Sequence, residues 1–220
     1  MFSAATKALS DLLSPAFRSV LFKAIGLTLA LFITLFVALQ GIFWFLALVP
    51  WPWLETLLAI GAGLGLLVAF FFLMAPVTAI FAGLFLDSVA DKVEERHYPR
   101  DQRGTPLPTG KAIKVALQFG LLVLAVNILA LPMVFTGFGA VVLLIINAYL
   151  ISREYFEMVA MRFMAVDEAK QLRKDNGVQV FFAGFLPALM AIVPILNLTV
   201  PLFSTSYFTH IFKQVQRATR

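Results

Sequence analysis

The chain has 220 residues, 61% hydrophobic and 13% charged, with 23 Phe, no Cys and a formal net charge of +5. Uncharged runs of 30 or more residues exclude a soluble domain and make lipid the solvent for most of the chain. Without cysteine there is no disulfide framework or thiolate metal site, and the basic residues flank apolar runs, so anionic headgroups rather than nucleic acid are their default partner.

At the N-terminus, Lys7, Asp11, Pro15, Arg18 and Lys23 precede an apolar run far longer than the core of a cleavable signal. The spacing of Phe2, Ala5, Leu9, Leu12 and Leu13 predicts a short amphipathic helix lying in the membrane interface. Next comes "LLSPAFRSVLFK", residues 12–23. Ser14 is a good N-cap and Pro15 suits a first helical turn. A helix starting there is expected to leave the amides of Ala16, Phe17 and Arg18 without intrahelical partners, at the positive end of the dipole. With the Arg18 guanidinium added, and Lys23 close by, these groups form a candidate anion site. The alternative is that Arg18 and Lys23 only snorkel to headgroups.

All 17 Lys and Arg fall into four islands: three in residues 1–23, six in 87–114, five in 153–175 and three in 213–220. Between them lie 24–86, broken only by Glu55, then 115–152 and 178–212. If the basic islands mark one membrane face, each apolar stretch goes in and returns. Stretch 24–86 turns at "VPWPWLE" (49–55) and supplies two transmembrane helices. Stretches 115–152 and 178–212 break at 131–140 and 194–201, leaving arms of about 15 to 17 residues, or roughly 22–25 Å, too short to span comfortably. Both are expected to be re-entrant hairpins, with single kinked helices as the alternative.

The expected organisation is thus one all-α polytopic membrane domain, 1–220. Residues 1–23 form the interfacial helix and first helix start, and 24–86 the two long transmembrane helices. A cytoplasmic extension and loop (87–114) precede the first re-entrant hairpin (115–152). A charged helix and linker (153–177), the second hairpin (178–212) and a basic tail (213–220) complete the chain.

The loop 97–111 holds a decoy, Gly104 to Lys111. Five residues separate its glycines, two of them proline, and Ala112 stands where a phosphate-binding loop needs Ser or Thr, so no nucleotide site is expected. His97 and His210 lie far apart in no ligand pattern, and no metal is expected. At the hairpin tips, Thr136 and Gly137 in one and Asn197 and Thr199 in the other are candidates to start returning arms aimed into the membrane, or else to satisfy turn backbone. Pro187, Pro194 and Pro201 recur every seven residues, which predicts a shared face on one bent arm. In "ISREYFEMVAMR" (151–162), Arg153 and Glu157 sit one turn apart, Glu154 and Glu157 share a face, and Arg162 follows. Two carboxylates with no nucleophile or metal favour an ion-pair clasp or gate over catalysis, with Arg18 or Lys23 as expected partners.

"REYFEMVAMR", a charged linker, and "FFAGFLPALMAIVPILNLTVPLFSTSYFTHIF" together resemble the CysZ family of bacterial sulfate permeases and the related etoposide-induced membrane proteins. "FFLMAPVTAIFAGLFLDSVADKVEE" (71–95) resembles that family's second membrane helix. The resemblance implies a multi-pass bacterial inner-membrane protein, channel-like and homo-oligomeric, that brings sulfate or a related oxyanion into the cytoplasm for cysteine synthesis. It also implies two long transmembrane helices and two hemi-penetrating hairpins. The family's Gly-Leu/Ile-Arg-Arg sulfate motif aligns with Ala16, Phe17, Arg18 and Ser19; Arg18 matches, while the glycine and second arginine are absent, which implies a looser hold. A non-transporting structural or scaffolding membrane protein is the alternative, and an intramembrane enzyme using Glu154 or Glu157 a remoter one.

Overall fold

The computed structural model describes residues 1–15, 17–19, 22, 26, 30, 33–34, 36–38, 40–41, 86–106, 108–130, 132–133, 137–197 and 199–218. Every regular element among them is helical. The expected transmembrane pair in 24–86, with its turn at 49–55, lies largely outside the described residues, as do Ala16, Lys23 and Thr136.

Helix α1 (Phe2–Leu12) packs on the last helix of the chain. It does so through Ala4, Ala8 and Asp11, spaced four and three residues apart and all fully buried. Two methyl side chains let the helices approach closely. The bulky apolar residues of the same helix, Phe2 and Leu9, point outward with Leu13 beyond them. Helix α2 (86–97) buries Leu86, Val89, Ala90, Val93 and Glu94, a stripe of helical period. Phe17, Val89, Val93, Tyr98 and Leu202 form a small cluster that joins α2 to both ends of the chain.

Helices α3 (Thr109–Ala130) and α4 (Gly139–Ala160) form the first hairpin and touch each other. Each has 22 residues, or about 33 Å, so the arms are longer than the charge-free segments predict. Helix α3 starts before Lys111 and Lys114, and α4 runs on through Arg153, Glu154 and Glu157. A charge marks where a chain leaves hydrocarbon, not where a helix ends, and Lys, Arg and Glu all favour helix. Helix α4 is apolar and long enough to cross a bilayer.

The charged helix α5 (Val166–Asp175) carries Asp167 and Glu168 in its first turn and Arg173 and Lys174 in its last, each complementing the helix dipole. The Glu168 carboxylate accepts a 3.2 Å hydrogen bond from the Ala165 amide. After an 89° bend come α6 (Gly177–Ala183) and α7 (Phe185–Ile192), which with α5 make a bent apolar pair. A single turn, α8 (Pro194–Asn197), leads to α9 (Val200–Ala218). The break between α8 and α9 falls inside the expected tip at 194–201.

The prolines share no face of one continuous arm: each stands in the first turn of a different helix, Pro187 in α7, Pro194 in α8 and Pro201 in α9. A first-turn proline sacrifices no intrahelical hydrogen bond, so its missing N–H costs nothing there. Helix α9 is the core. It is buried almost continuously from Val200 to Lys213 and packs on α1, α4 and α7. Phe208 stacks on Tyr155, and Phe212 meets Phe156 edge-on. At Gly184, between α6 and α7, the chain passes so close to α4 that a Cβ would lie 2.0 Å from the Ala148 carbonyl oxygen.

Candidate functional site

Ser14 stands at the expected helix start by its backbone: its carbonyl accepts from the amides of Phe17 and Arg18, both at 3.1 Å. Two of the three amides expected to be free are therefore engaged. Counting from Ser14 as cap, Arg18 is the residue whose N–H closes the first helical turn, so it was never an orphan. The Ser14 hydroxyl is buried and caps nothing among the described residues. Phe17 is buried in the α2 cluster, whereas the side chains of Arg18 and Ser19 are exposed. Arg18 makes no ion pair among the described residues.

Of the candidates on α4, Arg153 Nε lies 3.8 Å from Glu157 Oε1. The stronger partner of Glu157 is Arg173 of α5, at 2.6 Å, not Arg18. Glu154 is buried beside it, and its Oε1 has no hydrogen-bond partner among the described residues. Arg162 is fully buried. It pairs with Asp87 and Asp91 and lies 3.4 Å from Glu94, all on α2. Glu94 accepts from the Gly104 amide at 2.8 Å, and the Thr105 amide donates to the Arg162 carbonyl at 2.8 Å. A Cβ on Gly104 would lie 2.8 Å from Arg162 Nε, so only glycine lets the loop close on this side chain.

Asp11, fully buried on α1, accepts from Arg96 (3.3 Å) and His97 (2.8 Å) at Oδ1. Its Oδ2 accepts from Ser206 (2.8 Å) and, at 3.4 Å, from His210. The other ring nitrogen of His210 meets the Tyr98 hydroxyl at 2.8 Å. Burial pushes the Asp11 carboxyl up, but the hydrogen bonds from His210, His97 and Ser206 outweigh it and hold the pKa below the usual 3.8. Burial raises Tyr98 to about 12 and lowers Lys213. Lys213 donates to the Gln102 carbonyl at 3.1 Å and lies over the Phe163 ring, while Arg217 pairs with Asp101 at 3.3 Å.

Members of all four charged islands thus meet on residues 86–106: Asp11 from the first, Arg162 from the third, Lys213 and Arg217 from the fourth. Sequence reasoning missed Asp11, Asp87, Asp91, Glu94, Arg173 and the approach of His97 to His210, whose rings lie 4.9 Å apart. One signal was present, a charged residue in register with Ala4 and Ala8 on the small face of α1. Among the hairpin candidates, Gly137 lies in the turn before α4 and Asn197 ends α8. The Thr199 hydroxyl donates to the Leu196 carbonyl at 2.7 Å, so it serves the turn itself.

The model of the sulfate transporter CysZ/etoposide-induced protein 2.4 family matches residues 4–201. The chain belongs to that family. The sulfate transporter CysZ/etoposide-induced protein 2.4 family is one of membrane proteins, as one clear apolar span and a bent apolar pair in the all-helical fold also suggest. Its match takes in Asp11, Arg18, the α2 acidic row and the whole of α4. No individual curated protein matches the chain.

Proposed function

We propose that this protein is a permease moving sulfate, or a closely related oxyanion, across the bacterial inner membrane into the cytoplasm, where it feeds cysteine synthesis. The observation that carries the reading is the family match over residues 4–201. Sulfate is a dianion at neutral pH and needs at least one cation together with directed donors. The exposed Arg18, with Ser19 beside it, is suited to supply them. Conduction needs binding weak enough to release, and a single arginine is compatible with that.

The meeting of all four islands on residues 86–106 supports a topology in which they share one membrane face. In that topology 24–86 crosses twice, and the α3–α4 and α6–α9 hairpins enter and return. Glu157 with Arg153 and Arg173, and Arg162 with its acidic row, then brace the cytoplasmic side, and no bond-making chemistry is assigned to Glu154 or Glu157. The protein works as a homo-oligomer without cofactor or nucleotide.

Purified protein in liposomes should take up radiolabelled sulfate in a saturable way that excess unlabelled sulfate suppresses. Folded protein giving uptake equal to empty liposomes would reject the permease in favour of a structural membrane protein.

A further inference from the structure

We propose that Asp11, His97 and His210 form a binding site for a divalent transition cation of the Zn²⁺ class. The site staples the N-terminal helix to the C-terminal helix, and it stands independently of the transport reading. Two imidazoles and one carboxylate are a common donor set for zinc-class ions. One ligand atom from each of the three residues lies within 4.8 Å of the other two. Tetrahedral bonds of about 2.1 Å place such atoms roughly 3.4 Å apart, so closure on an ion requires side-chain shifts of about an ångström.

The surroundings are arranged as an outer shell. His210 turns one ring nitrogen to the cluster and the other to Tyr98 Oη at 2.8 Å, the second contact that fixes the tautomer and orientation of a ligating imidazole. Ser206 holds the second oxygen of Asp11 at 2.8 Å. Asp11 and His210 are fully buried, while the His97 side chain is 17% exposed, giving an ion a way in. Arg96, the cation on Asp11, has a side chain 51% exposed and swings into solvent when the ion replaces it. The ligands come from positions 11, 97 and 210, so one ion cross-links three distant segments.

The test uses untagged full-length protein in detergent, stripped with chelator, offered Zn²⁺ or Co²⁺ alone, and passed through gel filtration before metal analysis. The wild type should retain one ion per chain, gain thermal stability with Zn²⁺, and show visible d–d absorption with Co²⁺. His97→Gln, at the least buried ligand, should elute as folded protein yet lose retention, the band and the stabilisation. Tyr98→Phe should weaken binding by about tenfold or more while leaving the ligands in place. Wild type retaining no more ion than His97→Gln, or taking up Zn²⁺ with no rise in melting temperature, would overturn the proposal. The cluster would then be a hydrogen-bond hub and nothing else.

Discussion

The Asp11 carboxylate accepts a 2.8 Å hydrogen bond from the Ser206 hydroxyl, 195 residues further along the chain. Both groups are buried. Through this contact the N-terminal helix, from which the Ser14–Ser19 segment continues, is fixed to the core helix of the fold. Asp11→Ala leaves His97, Arg96 and Ser206 without their acceptor and should cost about 1–3 kcal/mol, since the half-exposed Arg96 can turn to solvent. The check is the melting temperature in detergent, with exposed Ser10→Ala as the neutral comparison.

The same carboxyl sets an acid limit. Its folded pKa lies below 3.8, so the unfolded chain binds more protons as pH falls. The stability it contributes is fully present above about pH 5 and drains away as pH drops through 3.8 toward the folded value. Tyr98 sets the opposite limit: raised to about 12, it contributes stability below pH 10 that is lost as pH rises through 12. Melting temperature against pH should therefore fall at both ends, and Asp11→Asn should flatten the acid limb while leaving the alkaline one.

Gly184→Ala tests the crossing of the second hairpin over α4. Its methyl would sit 2.0 Å from the Ala148 carbonyl oxygen and 2.8 Å from Ser152 Cβ. A backbone oxygen has no rotamer to retreat into, so the helices must separate, at about 1–3 kcal/mol. Gly177→Ala, where a Cβ meets nothing, should be tolerated. Thermal melts of the two variants should differ accordingly.

Arg162→Met should be worse than Arg162→Lys. Methionine leaves Asp87, Asp91 and Glu94 facing one another without a cation, at about 3–5 kcal/mol, whereas lysine keeps the charge but not the fork. Proteolysis within the loop 98–106, which closes over Arg162 through Gly104 and Thr105, should accelerate in that order.

How far the sequence led is clearest at particular residues. The break before α9 was legible in the residues 194–201, where Asn197 and Thr199 interrupt the apolar run and a turn needs polar backbone partners. The same spacing misjudged α3 and α4, since Lys111, Lys114 and the Arg153–Glu157 turn leave the apolar phase without leaving the helix. Ion-pair partners were partly legible: Arg153 and Glu157 are one turn apart on a single helix, but Glu157 to Arg173 depends on how α5 folds back. The pairing of His97 with His210 carried no local signal at all. Periodicity describes one element at a time, and a contact between residues as far apart as His97 and His210 exists only after α1, α2 and α9 have packed.

The proposed permease activity places the transported anion on Arg18. Saturable sulfate uptake into liposomes should be compared for wild type, Arg18→Gln and Arg18→Lys at equal amounts of folded protein. The account predicts a loss of about tenfold or more for Gln, as expected for removing a charge-assisted contact of about 1.5–3 kcal/mol, and partial recovery for Lys, which keeps the charge. Uptake by Arg18→Gln equal to that of wild type would contradict it and leave Arg18 as an anchor at the membrane surface.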